Sequence, residues 1–202
     1  MPSVARANFR RAVDRAVLLR KACCQQRRGR RLSDDVRQVH YHSHLAACVA
    51  AWEAYVESIV LEFLDRSSRP LDPAFSELRH LLRGSAVSAN KKFNTPNWDN
   101  SRNHIIRYTG FDPITSWSTA RSGSTSISSK TFLNDILLVR HSFAHGFPLP
   151  PTVPWLIIDG SRRLLNVQNL KEVESFLKSL TAATDTGLSA RLSSVFAVNV
   201  NW

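Results

Sequence analysis

The stretch that most constrains the fold runs from Ser33 to about Asp65. Ser33-Asp34-Asp35 offers N-cap chemistry, and apolar residues then recur at the spacing of one long helix. Val39, Leu45, Val49, Trp52, Val56, Val60, Leu61 and Leu64 are predicted to line its buried side. Ala46, Ala47, Ala50, Ala51 and Ala54 leave room for another helix to pack close against it. Glu53, Glu57 and Glu62 interrupt the apolar run, which argues against a membrane span. His40, His42 and His44 alternate, a spacing that fans around a helix instead of sharing one face. They are expected to be exposed or partly satisfied at a helix–helix surface, not to hold a metal.

The remaining elements follow in order. Ser3–Arg28 reads as a basic amphipathic helix with Val4, Phe9, Val13, Val17 and Leu18 at roughly helical spacing. It ends in Arg27-Arg28-Gly29-Arg30-Arg31, equally a grip for a phosphate backbone or a solvated helix end. Ser67-Ser68-Arg69-Pro70 breaks the chain, Pro73–Leu82 resumes a shorter helix, and the polar Gly84–Lys92 is expected to fray or turn. A short helix from about Asn97 to Tyr108 stops at Gly110, and Phe111–Ile114 starts another toward Trp117. Ala120–Ser129 is the most loop-like stretch. In Lys130–Gly146, Leu133, Ile136, Leu137 and Arg140 share a helix face. Gly146 ends that helix, and Pro148, Pro150 and Pro151 block its continuation.

Trp155–Leu165 reads as a β-hairpin turning at Asp159-Gly160. Asn169 is expected to cap a last helix carrying Val173, Phe176, Leu177 and Leu180, extended by Leu188–Val198. The sum is an all-α bundle with one small, late β-hairpin. It forms a single domain over 1–202, with a basic N-terminal helix in 1–31 and a helical core over 33–187 that includes the hairpin 155–165.

Composition narrows the function classes. A hydrophobic content of 43% with 21% charged residues fits a soluble globular protein. Three cysteines offer neither paired metal-ligand spacing nor a disulfide framework, and Met1–Phe9 lacks the apolar stretch of a secretory signal. A reducing cytoplasm is the expected compartment. The formal charge is +11, and 21 Arg outnumber 6 Lys. The planar guanidinium suits bidentate phosphate contacts, so a polyanionic partner, RNA above all, is expected.

Arg140, His141 and His145 bring a fixed cation and two imidazoles to one helix end. A neutral imidazole can take the proton from a ribose 2′-hydroxyl, whose oxygen then attacks the adjacent phosphorus. A guanidinium stabilises the negative charge that grows on the pentacoordinate phosphate, and the products are a 2′,3′-cyclic phosphate and a 5′-hydroxyl. No cofactor is required. His145 is the candidate base or acid and Arg140 the phosphate stabiliser; the guanidinium would disfavour the imidazolium and keep some His145 neutral. Spacing alone proves little, since Arg37 stands in the same relation to His42 and His44. On an ideal helix, Arg140 and His145 point about 140° apart and converge only if the helix loosens near Phe143–His145. The competing reading is that both simply favour the helix dipole at its C-terminus.

Arg140-His141-Ser142-Phe143-Ala144-His145-Gly146 resembles the signature of the HEPN superfamily: Arg, a polar residue, a short spacer and His. Ala51–Glu57 (AWEAYVE) and Phe93-Asn94-Thr95-Pro96-Asn97, running on to Gly110-Phe111, resemble its RiboL-PSP-HEPN branch. The likeness spans about residues 35–185. It implies a helical bundle and a homodimer whose two motifs face one cleft. It also implies metal-independent endoribonuclease activity, commonly serving as a toxin or in antiviral defence beside an antitoxin or defence-system partner. By position, Arg140 and His145 are catalytic, and His141 assists their placement. Some HEPN members have lost catalysis and act as RNA-binding or protein-binding modules, the alternative here. A purely structural adaptor conflicts with the +11 charge. Arg102, Arg107 and Arg121 are candidate phosphate contacts. Trp98, with Tyr108 and Trp117, is a candidate for base stacking, though such aromatics are more often core.

Overall fold

A computed structural model describes residues 1–22, 32–67, 73–120, 127–198 and 202. Among these lie seven helices and one two-stranded hairpin. The Cys23–Cys24 pair, the basic cluster 27–31, residues 68–70 of the expected break and Arg121 fall outside the described residues.

The long helix is the mast of the fold. Helix α2 spans Asp34–Arg66, about 50 Å at 1.5 Å per residue. Ser33 accepts from Val36 N, and Asp34 and Asp35 sit where the helix dipole favours negative charge. Helix α1 (Val4–Ala22) lies antiparallel to it. Val4 and Ala5 donate backbone N–H to Glu62, while the Ala16 carbonyl meets His44 near the other end. Helix α7 (Val167–Phe196) runs parallel to α2, with Glu174 beside His44 and Asp185 accepting from Tyr55. Helix α3 (Pro73–Asn90) returns antiparallel, tied by Arg83–Asp65 and by Asn90 to the Glu57 carbonyl. Helices α4 (Trp98–Thr109), α5 (Ile114–Ser118) and α6 (Ser129–Ala144) close the other side. Strands β1 (Ile157–Asp159) and β2 (Arg162–Leu164) pair antiparallel before α7. No described helix is long and apolar enough to cross a membrane.

Several expectations need correction. Helix α1 buries Ala5, Phe9, Val13 and Ala16, a strict 3/4 stripe that leaves Val4 and Leu18 exposed. Val39 is 53% exposed because the first turns of α2 border an open groove. Leu61 is half-buried. Of the two places expected for the histidines, His42 and His44 take the helix–helix surface and are buried there, while His40 is half-buried. Helix α3 does not fray at Gly84 but continues to Asn90, held by the fully buried Ala86. In the hairpin, Asp159 pairs with Arg162, so the two-residue turn is Gly160-Ser161, with Gly160 at φ 58°, and Asp159 belongs to the strand. The cap of α7 is Asn166. Asn169 takes the third helical position and returns a side-chain bond to the Asn166 N–H, a reciprocal capping box. The last apolar stretch continues the same helix.

Around α2 the core gathers Trp52, Trp98 and Trp117 in edge-to-face contact. Trp117 Nε1 donates to Thr184 Oγ1 at 2.8 Å. Trp98 is only 3% exposed, so it offers no face to a nucleobase. Tyr108 and Trp117 are buried as well. These aromatics build the core and do not form a stacking platform.

Candidate functional site

Helix α6 carries the Arg–His segment to the surface. Ser128 caps its start by accepting from Thr131 N. Phe132, Leu133, Ile136 and Val139 bury one face. The far end closes as a Schellman motif. Gly146 N donates to Phe143 O at 3.1 Å, Phe147 N donates to Ser142 O at 2.8 Å, and Gly146 takes φ +70°. His145 N still donates to His141 O at 3.1 Å, so the helix stays regular up to His145.

Helix α6 runs to Ala144, and His145 is its C-cap at φ −102° and ψ 6°; on an ideal helix five residue steps would set Arg140 and His145 about 140° apart. Two other pairings appear. His141 and His145, four residues apart, bring their rings to 4.3 Å between centroids. Phe147 lies next to them, 5.9 Å from the His145 ring. His141, His145 and Phe147 are all exposed. Arg140 is half-buried, and its charge acts on Glu53 of α2. Burial pushes the Glu53 carboxyl above its ordinary range, and the nearby Arg140 guanidinium partly offsets that push. Glu57 is raised too, by burial and then by the charge of Glu53. None of the Arg140, His141 or His145 side chains hydrogen-bonds or ion-pairs with a described residue.

Phe143, in the spacer of the motif, stacks on His42 of α2 with ring centroids 4.1 Å apart and planes 3° from parallel. His42 is 5% exposed, its Nδ1 meets no hydrogen-bond partner among the described residues, and burial pushes its pKa down to about 4. The ring is therefore neutral at physiological pH. Beside this stack a groove of about 420 Å³ runs between α2, the segment after α6 and the hairpin, bordered by Val39, Pro148, Arg162 and Arg163.

The three sequence segments singled out above meet here. Trp52 Nε1 donates to Pro96 O at 3.0 Å, joining Ala51–Glu57 to Phe93–Asn97. The Arg140 charge acts on its neighbour Glu53. Trp98 N donates to Asn134 Oδ1 of α6 at 3.2 Å, closing the ring of contacts. Glu53 and His42 were the site residues sequence reasoning missed. The signal for Glu53 was a carboxylate set between Trp52 and Ala54 in the apolar middle of the helix.

The other candidate residues divide. Arg102 is held by Asp112 through two hydrogen bonds, Nε to Oδ1 at 2.8 Å and Nη2 to Oδ2 at 2.5 Å. Arg107 is exposed and makes no ion pair with a described residue. A separate basic surface lies between α1 and α7, where Arg6, Arg10, Lys171 and Lys178 edge a groove. Cys48 is fully buried, and burial, followed by the charge of Glu174, pushes its thiol up to about 12, so it cannot serve as a nucleophile at neutral pH.

Comparison with curated proteins and with solved structures finds no match. A family model does match: RiboL-PSP-HEPN, over residues 24–190, most of the chain's length. With the signature at an exposed helix end and its companion segments packed around it, this chain belongs to the RiboL-PSP-HEPN branch of the HEPN superfamily, a group of nuclease and RNA-binding modules.

Proposed function

We propose that the chain is a metal-independent endoribonuclease whose active site is completed by a second copy of itself. The observation that carries this reading is the end of α6, where Arg140, His141 and His145 stand with their polar atoms committed to no described residue. The formal charge of +11 supports a polyanionic substrate.

In this chemistry a neutral imidazole of His145 takes the proton from a ribose 2′-hydroxyl, and O2′ attacks the adjacent phosphorus. Arg140 meets the negative charge that develops on the phosphoryl oxygens. The P–O5′ bond breaks, a protonated imidazole gives its proton to O5′, and a 2′,3′-cyclic phosphate and a 5′-hydroxyl result. In-line attack places the entering and leaving oxygens on opposite sides of phosphorus. His141 and His145, 4.3 Å apart on one helix face, cannot flank a phosphate from both sides. Base and acid therefore come from different protomers, with His141 helping to place its neighbour. The exposed Leu138, Phe143 and Phe147 beside the motif are the apolar surface such a partner would cover. A toxin or antiviral-defence role in the cytoplasm, restrained or triggered by a partner protein, rests on the family likeness.

A second reading, a non-catalytic RNA-binding module, is favoured by the pairing of the His145 ring with His141, four residues earlier on the same helix end. Total RNA incubated in EDTA with the wild type, Arg140→Ala and His145→Ala, with mapping of fragment ends, separates the two. The nuclease produces cyclic-phosphate ends with the wild type alone, while both variants keep fold and oligomeric state. Salt-sensitive binding without cleavage by the wild type would instead assign the module.

A further inference from the structure

Away from the Arg–His motif, the turn after α3 and one side of α4 border an open cavity of about 270 Å³. Its lining combines base-reading and phosphate-reading chemistry. Asn94 and Asn103 bring two exposed amides, each a donor and an acceptor. Lys92 and Arg107 bring two exposed cations that ion-pair with no described residue. His104 also lines the cavity. It is only 8% exposed, yet its Nε2 meets no hydrogen-bond partner among the described residues. A polar ring nitrogen left unmatched at such burial is costly, and a ligand able to hydrogen-bond there would remove the cost. The half-buried Phe93 lies 5.0 Å from the His104 ring, and Tyr108 continues the ladder at 5.2 Å.

We infer that this cavity is a subsite for one unpaired nucleotide of an RNA strand, its base against Phe93 and the amides and its phosphates on Lys92 and Arg107. The inference rests on the RNA reading proposed above, but on none of the residues placed in the cleavage chemistry. Two cations among neutral amides and an aromatic ring fit a nucleotide better than an acidic peptide, which would need more positive charge. The volume lies just under the roughly 300–1,000 Å³ of whole small-molecule sites, which suits a single base. Unpaired RNA bases are read in this way, splayed out, stacked on a ring and hydrogen-bonded along their edges. The subsite is also tied to the motif. The same turn is fixed to α2 by Trp52 Nε1 to Pro96 O and by Asn90 to Glu57 O, and the Arg140 charge acts on Glu53 in that stretch.

The test uses full-length protein carrying His145→Ala, so that no cleavage intervenes. Fluorescein-labelled single-stranded A, C and U decamers are titrated by fluorescence anisotropy at several salt concentrations. Asn103→Ala, at an exposed position, and His104→Phe, which keeps the ring ladder but deletes Nε2, are expected to weaken the preferred homopolymer roughly tenfold and to flatten base preference. Lys92→Ala and Arg107→Ala should weaken all three alike and each lower the salt slope by about one. Strong binding that all four variants leave within about twofold overturns the subsite while leaving the RNA reading intact. No binding of any decamer overturns both. Nucleoside monophosphate that binds the cavity without competing against the decamers would assign it to a free nucleotide and overturn the strand assignment.

Discussion

His42 gives the sharpest test of how the site is built, because its charge state is set by burial alone. Its pKa falls from 6.5 to about 4 on folding. The unfolded imidazole therefore binds a proton below pH 6.5, and the folded one refuses it until about pH 4. Wherever the unfolded state holds more protons, stability rises with pH. The contribution is intact above the unfolded pKa, declines as pH falls through the window between the two values, and levels off below the lower. At about 1.4 kcal/mol for each decade of proton affinity, the loss is about 2 kcal/mol at pH 5 and about 3 kcal/mol once pH lies below both values. The comparison variant is His42→Phe. It preserves a flat ring against Phe143, deletes an Nδ1 that meets no described partner, and cannot titrate. Urea melts of both proteins at pH 7, 6, 5 and 4.5 give the difference in unfolding free energy, in which every other titrating group cancels. The wild type should lose about 2 kcal/mol relative to the variant between pH 7 and pH 5. A difference that stays flat across that range would refute the burial argument and place His42 in contact with water.

Three further outcomes follow from the packing. Glu174, with His44 Nε2 and Arg20 Nη2 each 3.1 Å from its Oε1, joins α7 to α2 and α1. Glu174→Ala should cost about 3 kcal/mol by stranding a buried imidazole and a guanidinium, and Glu174→Gln less; equal small losses in thermal melts would show the network is not load-carrying. Burial opposes the Glu174 charge, but the His44 hydrogen bond and Arg20 outweigh it and hold the carboxyl below its ordinary 4.5, so its contribution is present above that pH and is lost as pH falls through the lower folded value. Gly187→Ala places a Cβ 2.0 Å from Phe111 Cζ, which should cost about 1–3 kcal/mol. Adding Phe111→Leu should return part of that loss, and strict additivity in a double-mutant cycle would contradict the clash. Gly146→Ala meets no atom within 4 Å but forces an L-residue to φ +70°, so it should cost about 1 kcal/mol, or 2–4 °C in Tm, with Gly146→Asn milder. Equal melting temperatures for the glycine, alanine and asparagine proteins would contradict this account.

Much of the fold was legible because its signals are local. Ser33, Asn97, Gly110 and Gly146 mark helix ends by chemistry that acts within four residues, and the start of α2, both ends of α4 and the end of α6 lie where those residues place them. The misreadings concern tertiary packing or a choice between neighbouring residues that can play the same local part. Gly84 interrupts a helix by propensity, but packing at Ala86 carries α3 through it. Asn166 and Asn169 are both good caps, and only the reciprocal bond between them shows which one ends the helix. His42 and His44 fan around α2 as expected. Because α2 is surrounded by α1, α6 and α7, fanning out buries them, one against Phe143 and the other between Ala16 and Glu174.

The site was legible in composition and not in arrangement, and the reason is geometric. The residue types of Arg140, His141 and His145 point to phosphate chemistry, but only the structure shows that the His145 ring lies 4.3 Å from that of His141 at the end of α6. No sequence period reports that the Arg140 charge acts on the Glu53 carboxyl, since the two residues stand 87 positions apart on different helices. Gly146 and Phe147 close the last carbonyls of α6 in a Schellman motif, so the two histidines pair on an ordered helix end. On the reading proposed above, a phosphate held by an arginine and flanked by an imidazole base and acid lies where two such helix ends meet. Variants at Phe143 or Phe147 that abolish association should then abolish cleavage with Arg140 and His145 untouched, and cleavage by a variant that stays monomeric would refute the shared site.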